Sequence, residues 1–514
     1  MIAISHCVAM DYGVVSSNTK SFTLAGIGMT WGFYGRTDEL RATAQILGRN
    51  RWFFAKMTGR RRIGKTTLIQ QAIQSAGGHP IFYVQIPDSA PAGVLSAVND
   101  ALESFDAPAE QFPRPKTLAE FARLIGTMAR AGYVVALDEF QYFNRAHLQP
   151  FCSSLQAEID TLSSQADRVP GGLIVLGSVH TEMTALLEDR SAPLFNRITD
   201  EIDLSHLDIA SVLAMLREHA DTAPERLLFL WTLFEGVPKF YRDCYEQGVL
   251  GADRLVLLRR MFFESSSPLR TEAENWFLKE LRGRYDVVLK FIARHDGCMH
   301  ADLQEHVRQV SGDRSEQVGG YLTTLVDRYR LIEKRLPIFA KPTARRTRYY
   351  LADNFLQSWL AALASPVAAL NFRPVDDLVT TANQRLFDVE GGMFEKLVGQ
   401  LYEERSRKGI GDFPLTERIK GYWDRGDTEI DLVALNGTDQ IIRFGSCKRS
   451  PEKLISDMTV FDGHIERFLS QFPEYTTWRI ERVSLAPDIP DNIREYITGQ
   501  GRIVQDLHDL TLGL

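Results

Sequence analysis

Residues 59–66 read Gly59-Arg60-Arg61-Arg62-Ile63-Gly64-Lys65-Thr66 and lie between an apolar run and a helical pattern. The two glycines allow the backbone to curl, so that successive N–H groups point inward and can bind phosphate oxygens. Residues 52–57 predict the buried strand before this loop, and residues 65–76 predict the helix after it. Strand, glycine loop and helix together predict a site for a nucleoside triphosphate within an α/β fold.

The side chains of the glycine loop suit ATP and Mg²⁺. The ammonium of Lys65 can lie between the β- and γ-phosphates, and the hydroxyl of Thr66 can bind Mg²⁺. Both residues begin a helix whose N-terminal dipole also favours anions. The other loop residues that we expect to contact the nucleotide are Gly59, Arg60, Arg61, Arg62, Ile63, Gly64 and Thr67.

A second apolar run ends in two carboxylates. Residues 133–137 predict a buried strand, and Asp138 and Glu139 follow it directly. Ligands of open parallel sheets gather at the carboxyl ends of the strands. We therefore expect Asp138 to bind Mg²⁺ through water and Glu139 to act as the general base on the attacking water. The alternative is a pair of acids that simply ends a strand.

Two further polar residues are candidates for the same site. Ser178 follows the apolar residues 173–176 and could sense the γ-phosphate, although a serine in a turn explains it equally well. Arg197 could act as an arginine finger, in cis or from a neighbouring subunit. A surface position without a role is the alternative for Arg197.

The whole chain has the composition of a soluble protein with several domains. Its 514 residues exceed what one hydrophobic core usually supports. The net charge of -7 predicts no general attraction to nucleic acid. Five scattered cysteines form no C-x-x-C pair, which favours a reducing cytoplasm, and no apolar run is long enough to predict a membrane helix.

Changes of pattern divide the chain into modules. Residues 1–30 show little periodicity and suggest a disordered leader or a mis-assigned start. Alternating strands and helices over 31–205 indicate a parallel α/β sheet, and helical periodicity over 206–284 indicates a lid. Residues 285–365 show three helices and two strands, in the order of a winged helix-turn-helix. The last module is placed at 380–514, after a linker that contains proline.

Several motifs resemble the archaeal-type ATPase family, which is related to the AAA and signal-transduction (STAND) ATPases. Besides the glycine loop, they are Phe33-Tyr34-Gly35-Arg36-Thr37-Asp38-Glu39-Leu40, Leu137-Asp138-Glu139-Phe140-Gln141-Tyr142, Gly177-Ser178, Pro193-Leu194-Phe195 with Arg197, and Gly236-Val237-Pro238. The resemblance implies an AAA-like parallel sheet with a helical lid. It also implies that the upstream box, with Tyr34, Gly35 and Arg36, lies against the adenine, and that the Gly-Val-Pro turn starts a lid helix.

Basic residues crowd the two predicted strands of module 285–365 and the loop between them. A winged helix has its wing here, and such a hairpin can follow a phosphate backbone. Arg345, Arg346 and Arg348 are therefore candidate DNA ligands. The alternative is that this module packs against the nucleotide-binding core and that its charges are solvated.

The last module resembles the PD-(D/E)xK nuclease fold, also called restriction-endonuclease-like, which occurs at the C-terminus of this ATPase family. The resemblance implies that Asp431 is the first acid, Lys448 the lysine and Glu395 an acid from the preceding helix, which together hold Mg²⁺ and position a water. The predicted elements are a helix at 392–405 and strands at 429–435 and 441–448.

One position departs from that nuclease pattern. The second acid belongs two residues before the lysine, where this chain has Ser446. A neutral hydroxyl cannot replace a carboxylate beside Mg²⁺, although Glu429 on the neighbouring strand could compensate. We expect a module that binds or supports without cleaving, with cleavage as the alternative.

Three functions follow as hypotheses. The first is an ATP-binding and ATP-hydrolysing switch or motor, associated with DNA and carrying a degenerate nuclease-like effector domain. The second is a nucleotide-gated, Mg²⁺-dependent DNA nuclease in genome maintenance or defence. The third is a non-cleaving DNA-binding regulator controlled by its ATP state. A homo-oligomer is compatible with each of them, and none involves a membrane.

Overall fold

The computed structural model describes residues 30–76, 80–178, 180–273, 285–295, 297–311, 317–341 and 346–514. The chain divides into two units with a boundary between Phe33 and Tyr34, and the second unit, Tyr34–Leu514, is compact. The leader predicted at 1–30 lies outside the described residues except for its last position. Among the described residues, no helix combines the length and the apolar character needed to cross a membrane.

A parallel sheet forms the N-terminal part of the second unit. Its strands are β1 (Phe54–Gly59), β2 (Ile81–Gln85), β3 (Val134–Asp138), β4 (Gly172–Gly177) and β5 (Asp200–Leu204). They are arranged in the order β2-β3-β4-β1-β5, and every neighbouring pair is parallel. The glycine loop after β1 and the two acids after β3 therefore emerge at the same edge, with β4 between them. The predicted α/β fold with a parallel sheet is confirmed.

Helices flank this sheet, and aromatic and aliphatic side chains fill the space between them. Helix α4 begins after Thr117 because that side chain accepts a hydrogen bond from the N–H of Glu120 at 3.1 Å, which caps the first turn. The helices of this part are α1 (Thr37–Leu47), α2 (Lys65–Ala76), α3 (Pro91–Ser104), α4 (Leu118–Arg130), α5 (Gln149–Ser163) and α6 (His180–Leu187).

Strand β5 differs from the sequence-based prediction, which placed no strand there. Its buried side chains are Ile202 and Leu204, and the three others are acidic and at least partly exposed. It pairs with β1 at the edge of the sheet, so its outer side needs no apolar residues. A short acidic edge strand has too little hydrophobic pattern to be recognised from sequence.

The segment after β5 is helical, as the pattern of residues 206–284 predicts. Its helices are α7 (Ile209–His219), α8 (Pro224–Phe234), α9 (Pro238–Glu246) and α10 (Arg254–Leu258). Helix α9 begins at Pro238, directly after the turn that the family resemblance assigns to the start of a lid helix. Proline suits a first helical position because its missing N–H would have no partner there.

The next segment contains short helices and a small antiparallel sheet of order β6-β8-β7. The elements are α11 (Asp286–Arg294), β6 (Cys298–Met299), α12 (His300–Ser311), α13 (Val318–Thr323), β7 (Ile332–Arg335) and β8 (Arg348–Leu351). Three helices and two late strands agree with the predicted elements. The interpretation as a winged helix-turn-helix stays a prediction.

Helix α16 (Val375–Arg407) is much longer than the helix predicted at 392–405. It starts within the expected linker and runs through the boundary placed at 380. Buried Leu378, Ala382, Leu386, Glu390 and Met393 share one face at spacings of three to four residues, and this face extends the helix upstream. Two short helices precede it, α14 (Asn354–Ser358) and α15 (Ala364–Ala368).

A second sheet of five strands completes the chain. Its order is β13-β12-β11-β10-β9, with antiparallel pairs from β9 to β11 and parallel pairs from β11 to β13. The elements are β9 (Lys420–Trp423), β10 (Glu429–Asn436), β11 (Ile441–Cys447), α17 (Pro451–Gln471), β12 (Arg479–Leu485), α18 (Asp491–Gly499), β13 (Ile503–Gln505) and α19 (Leu507–Thr511). The assignment of this module to the nuclease fold stays a prediction.

Candidate nucleotide-binding site

The glycine loop curls between β1 and α2 as the sequence predicts. Gly59 and Gly64 both have positive φ angles, 149° and 96°. A Cβ at position 59 would also lie 2.7 Å from the backbone oxygen of Leu204 on β5. Glycine is therefore required at position 59 both by the backbone conformation and by the neighbouring strand.

Lys65 closes the loop on itself. Its ammonium donates hydrogen bonds to the backbone oxygens of Gly59 and Arg60, at 2.9 and 3.1 Å. Burial lowers the pKa of Lys65 to about 8, against the opposing effect of Asp138 and Glu139. A lysine with three donors and a partly desolvated charge is well suited to bind an anion that enters the loop.

Thr66 and Asp138 lie together, as their predicted shared role with Mg²⁺ requires. The Thr66 hydroxyl donates to Oδ2 of Asp138 at 3.0 Å, and the Tyr83 hydroxyl on β2 donates to the same oxygen at 2.8 Å. The other carboxylate oxygen accepts from the N–H of Glu139 at 2.8 Å. Asp138 is thus held in place from three sides. Tyr83 is a site residue that the sequence did not indicate, because it is one of several partly exposed residues on an ordinary strand.

Glu139 belongs to a polar group at the ends of β3 and β4. Its φ angle of 56° is left-handed, which is uncommon outside glycine and turns the chain sharply after β3. The Ser178 hydroxyl donates to its carboxylate at 3.3 Å, and the amide of Gln141 donates to the same oxygen. The structure therefore brings Ser178 to Glu139. Gln141 stands in the motif that carries the family resemblance, but it was not assigned a role.

The three loop arginines have different surroundings. Arg61 is exposed. Arg60 pairs with Asp353 at 2.8 Å, just ahead of α14, and burial lowers its pKa although this acid opposes the shift. Arg62 pairs with two acids of the helical segment that follows β5, Asp243 at 3.0 Å and Glu272 at 2.7 Å. While these ion pairs hold, Arg60 and Arg62 can contact phosphate directly through their backbone but not through their side chains.

The upstream box packs against the glycine loop. Arg36 donates to the backbone oxygen of Ile63 at 3.4 Å and to that of Ser205. Gly35 has a φ angle of 64°, and a Cβ there would lie 2.4 Å from the Ser211 hydroxyl on α7. Contact of this box with a base stays a prediction.

Two other residues expected at the nucleotide have protein partners. The Tyr34 hydroxyl bonds with Glu218 at 2.7 Å and with the His219 ring at 2.6 Å, both at the end of α7. Arg197 binds Asp160 on α5 through two nitrogens, at 2.7 and 3.0 Å. Its role as an arginine finger stays a prediction, and that role would require it to leave Asp160.

Thr67, which was expected to contact the nucleotide, is exposed on α2, and this contact stays a prediction.

The C-terminal cluster comprises Glu395, Asp431, Ser446, Lys448 and Asp457. The Lys448 ammonium lies between two carboxylates, 3.5 Å from Asp431 and 3.3 Å from Asp457. Burial lowers the pKa of Lys448, but Asp431 and Asp457 outweigh this effect and Glu395 adds to theirs, so the pKa is raised. The three residues expected to converge are thus electrostatically linked.

Asp457 lies beside Ser446, the position at which the nuclease pattern has its second acid and this chain does not. It is on α17, and its carboxylate accepts a hydrogen bond from the Ser446 hydroxyl at 2.9 Å. Glu429, the residue expected to compensate, instead pairs with Arg348. Asp457 comes from a helix after the strand pair, so a motif with fixed spacing could not find it. Among the described residues, no three His, Cys, Asp or Glu side chains are placed to hold a metal ion.

The basic hairpin packs against the C-terminal sheet. Arg348 pairs with Glu429 and lies over the Trp423 ring at 4.6 Å, and the indole N–H of Trp423 donates to the backbone oxygen of Arg346 at 2.8 Å. Contact of Arg348 with DNA would require it to give up these partners. The role of these arginines as DNA ligands stays a prediction, and Arg345 lies outside the described residues.

Comparison with known proteins places part of the chain. Residues 359–457 match the DUF234 family model. This family is described as "Archaea bacterial proteins of unknown function". The matched segment contains α16 and the strand pair β10–β11, and it includes all five residues of the C-terminal cluster. An uncharacterized protein of Methanocaldococcus jannaschii, MJECL04, is 24% identical over 432 residues, which cover 81% of this chain and 87% of that protein.

Solved structures resemble the chain more distantly. The Walker-type ATPase PABY2304 of Pyrococcus abyssi has a TM-score of 0.48 at 17% identity and covers 64% of this chain and 96% of its own. The Aeropyrum pernix ORC2 protein, in ADPNP-ADP complexes, has a TM-score of 0.42 at 15% identity, with coverage of 68% and 93%. Because these TM-scores lie below 0.5, the function must be argued from the geometry of the site.

Proposed function

We propose that the protein binds ATP at the glycine loop and hydrolyses it, and that this reaction drives a switch among its modules. The observation that carries the proposal is the convergence of Lys65, Thr66, Asp138 and Glu139 at one edge of the parallel sheet. An ammonium, a hydroxyl and two carboxylates around a curled glycine loop form the set of groups that triphosphate hydrolysis requires.

Each group has a specific task in this proposal. The loop N–H groups and Lys65 bind the β- and γ-phosphates. The phosphates take the place of the backbone oxygens of Gly59 and Arg60 as hydrogen-bond partners of Lys65. Glu139 orients and polarises the attacking water, and Ser178 and Gln141 hold its carboxylate near that position. The contact with Ser178 also supports its predicted role as a sensor of the γ-phosphate.

Thr66 and Asp138 fit the requirements of Mg²⁺. Their oxygens are hard donors that lie 3.0 Å apart beside the loop, and Mg²⁺ typically takes one or two protein oxygens together with phosphate oxygens and water. When bound, Mg²⁺ would neutralise charge on the phosphates. The hydroxyl of Tyr83 fixes Asp138 for this task.

The C-terminal module is proposed as an effector that does not cleave DNA. The ammonium of Lys448 lies between the two nearest carboxylates, and the acids do not form a metal-binding group among the described residues. Cleavage through Mg²⁺ is therefore not proposed. DNA association remains part of the proposal only through surfaces other than Arg348, whose contacts are within the protein.

Nucleotide binding and turnover test the proposed function. The parent protein should bind ATP in isothermal titration and release phosphate in the presence of Mg²⁺. Lys65→Ala should lose binding at least tenfold, whereas Lys290→Ala, which removes an exposed lysine from the module 285–365, should behave as the parent. A Lys65→Ala protein that binds and hydrolyses ATP like the parent would rule out the glycine loop as the site.

A further inference from the structure

A buried charge chain leads from the glycine loop to helix α16. Its first link joins Arg60, within the loop, to Asp353, through nitrogen–oxygen distances of 2.8 and 3.1 Å. Asp353 also caps α14, because its carboxylate accepts the N–H of Leu356 at 2.8 Å. A single carboxylate thus fixes both a residue of the phosphate loop and the start of a helix almost three hundred positions later.

The middle of this charge chain is formed by His206, which precedes α7, and by Glu235 in the turn between α8 and α9. The His206 ring lies 3.3 Å from Glu235 and 3.9 Å from Asp353. Glu235 is buried and has a positive φ angle of 48°, just before Gly236. Burial raises its pKa, but Lys396 and His206 outweigh that effect and hold the pKa well below its usual range.

Lys396 on α16 ends the chain. Its ammonium lies 2.9 Å from the carboxylate of Glu235 and donates to the side-chain oxygen of Asn354 at 2.7 Å. The side chain is 11% exposed, so the charge depends on these partners rather than on water. The buried charge chain therefore comprises Arg60, Asp353, His206, Glu235 and Lys396, and it joins the loop, the lid, α14 and α16. Asp353 and Glu235 are its buried members, and His206 is the most exposed at 27%.

Helix α16 connects this chain to the C-terminal cluster. Glu395 precedes Lys396 and acts electrostatically on Lys448. One and a half turns upstream, Glu390 is fully buried and pairs at 2.9 Å with Arg449, the residue after Lys448. A shift of α16 would therefore act on both sides of the lysine in the cluster.

Nucleotide binding acts directly on the first link. The ammonium of Lys65 holds the backbone oxygen of Arg60 at 3.1 Å, and an incoming phosphate competes for that ammonium. We expect a change of this contact to shift the backbone of residue 60 while its side chain stays bound to Asp353. Buried ion pairs resist separation, because each lost partner leaves an uncompensated charge in a medium of low polarity. The links are therefore expected to shift together.

We propose that the buried charge chain transmits nucleotide binding from the glycine loop to helix α16 and thereby to the C-terminal cluster. The proposal rests on the proposed ATP site and adds a route by which that site controls a distant module. Coupling of this kind requires that the C-terminal cluster have two arrangements that differ in their contacts along the chain.

Hydrogen–deuterium exchange on the full chain tests the proposal. Exchange is followed by mass spectrometry with and without a non-hydrolysable ATP analogue and Mg²⁺. In the parent protein, the analogue should slow exchange in the glycine loop and change it at least twofold in residues 390–400. In Lys396→Met, the loop should respond as in the parent, whereas the change in residues 390–400 should be lost.

Two further variants make the result specific. Lys408→Met removes the ion pair with Asp208 that joins the end of α16 to the lid, together with a pair to Glu404 on α16 itself, and Lys408 lies outside the buried charge chain. This control should retain the change in residues 390–400. Asp353→Asn keeps a capping side chain but removes the charge that binds Arg60, and it should lose the change even if Lys396→Met does not fold.

The outcomes separate the two proposals. If the glycine loop is protected but residues 390–400 exchange alike with and without the analogue, the transmission is wrong and the ATP site stands. The same conclusion follows if Asp353→Asn, or a folded Lys396→Met, responds like the parent. If the analogue protects no part of the parent protein, the ATP site and the transmission both fail.

Discussion

The lowered pKa of Lys65 predicts that the affinity for ATP falls as the pH rises. Burial brings the pKa of this lysine to about 8 in the free protein, against the effect of Asp138 and Glu139. Bound phosphates favour the charged form and raise the pKa in the complex. Below pH 8 the ammonium is already charged, so affinity is nearly constant. Above pH 8 each binding event must also protonate Lys65, so affinity is lost progressively until the pKa of the complex is reached.

The size of this effect follows from the fraction of charged lysine. With a pKa of about 8, roughly nine tenths of the free protein carries the charge at pH 7 and roughly one tenth at pH 9. The dissociation constant for ATP should therefore rise about tenfold between these pH values, which corresponds to about 1.4 kcal/mol. Over the same interval, proton uptake per bound ATP should approach one.

Isothermal titration in two buffers of different ionisation enthalpy measures both quantities at once. Lys65→Arg is the matched control, because an arginine keeps its charge throughout this range and should bind with little dependence on pH. A dissociation constant that stays the same from pH 7 to 9 in the parent would refute the reasoning. So would a tenfold rise that persists in Lys65→Arg, because another group would then be titrating.

Three other predictions concern positions away from the lysine. Tyr83→Phe removes one hydrogen bond to Asp138, whose loss should weaken Mg²⁺ binding by about 1 kcal/mol. The Mg²⁺ concentration for half-maximal turnover should therefore rise roughly fivefold, and an unchanged Mg²⁺ titration would contradict this. Gly236→Ala would place a Cβ 2.2 Å from the backbone oxygen of Leu207. It should lower the free energy of unfolding, measured in urea, by about 3 kcal/mol. Gly391→Ala, with no neighbour within 4 Å in a helix, should instead stabilise by about 0.5–1 kcal/mol, and equal effects at both glycines would contradict the packing argument. Linear and supercoiled DNA should survive incubation with Mg²⁺ or Mn²⁺ and ATP, whereas cleavage that Asp457→Asn abolishes would show an active nuclease.

The sequence predicted those strands and helices whose apolar residues recur in a regular local pattern. The strand that ends at Asp138 is fully buried and apolar up to that acid, so it is visible in the sequence. The strand before the glycine loop is also buried and mostly apolar, although Lys56 interrupts its pattern. Strand β5 was missed because an edge strand with acidic side chains has no such run. Helix α16 could have been traced further upstream, since Leu378, Ala382 and Leu386 recur at helical spacing.

Contacts between distant segments could not be predicted from the same patterns. The sequence shows three consecutive arginines in the glycine loop but not that Arg60 and Arg62 bind acids far along the chain. Likewise, Asp457 reaches Ser446 only because α17 folds back along β11. Such pairs depend on how distant segments pack, and spacing along the chain carries no information about that packing.

Phosphate release from ATP by the parent protein and by Glu139→Gln tests the central claim most directly. The substitution keeps the size of the side chain but removes the general base, so we expect Mg²⁺-dependent release in the parent and a decrease of about 100-fold or more in the variant. The dissociation constant for ATP should stay within about threefold of the parent, because Glu139 is not expected to bind the phosphates. Glu110→Gln, which changes an exposed glutamate, should release phosphate at the parental rate. A parent protein that binds ATP without releasing phosphate, or a Glu139→Gln variant as fast as the parent, would contradict the assignment of this site as an ATPase centre.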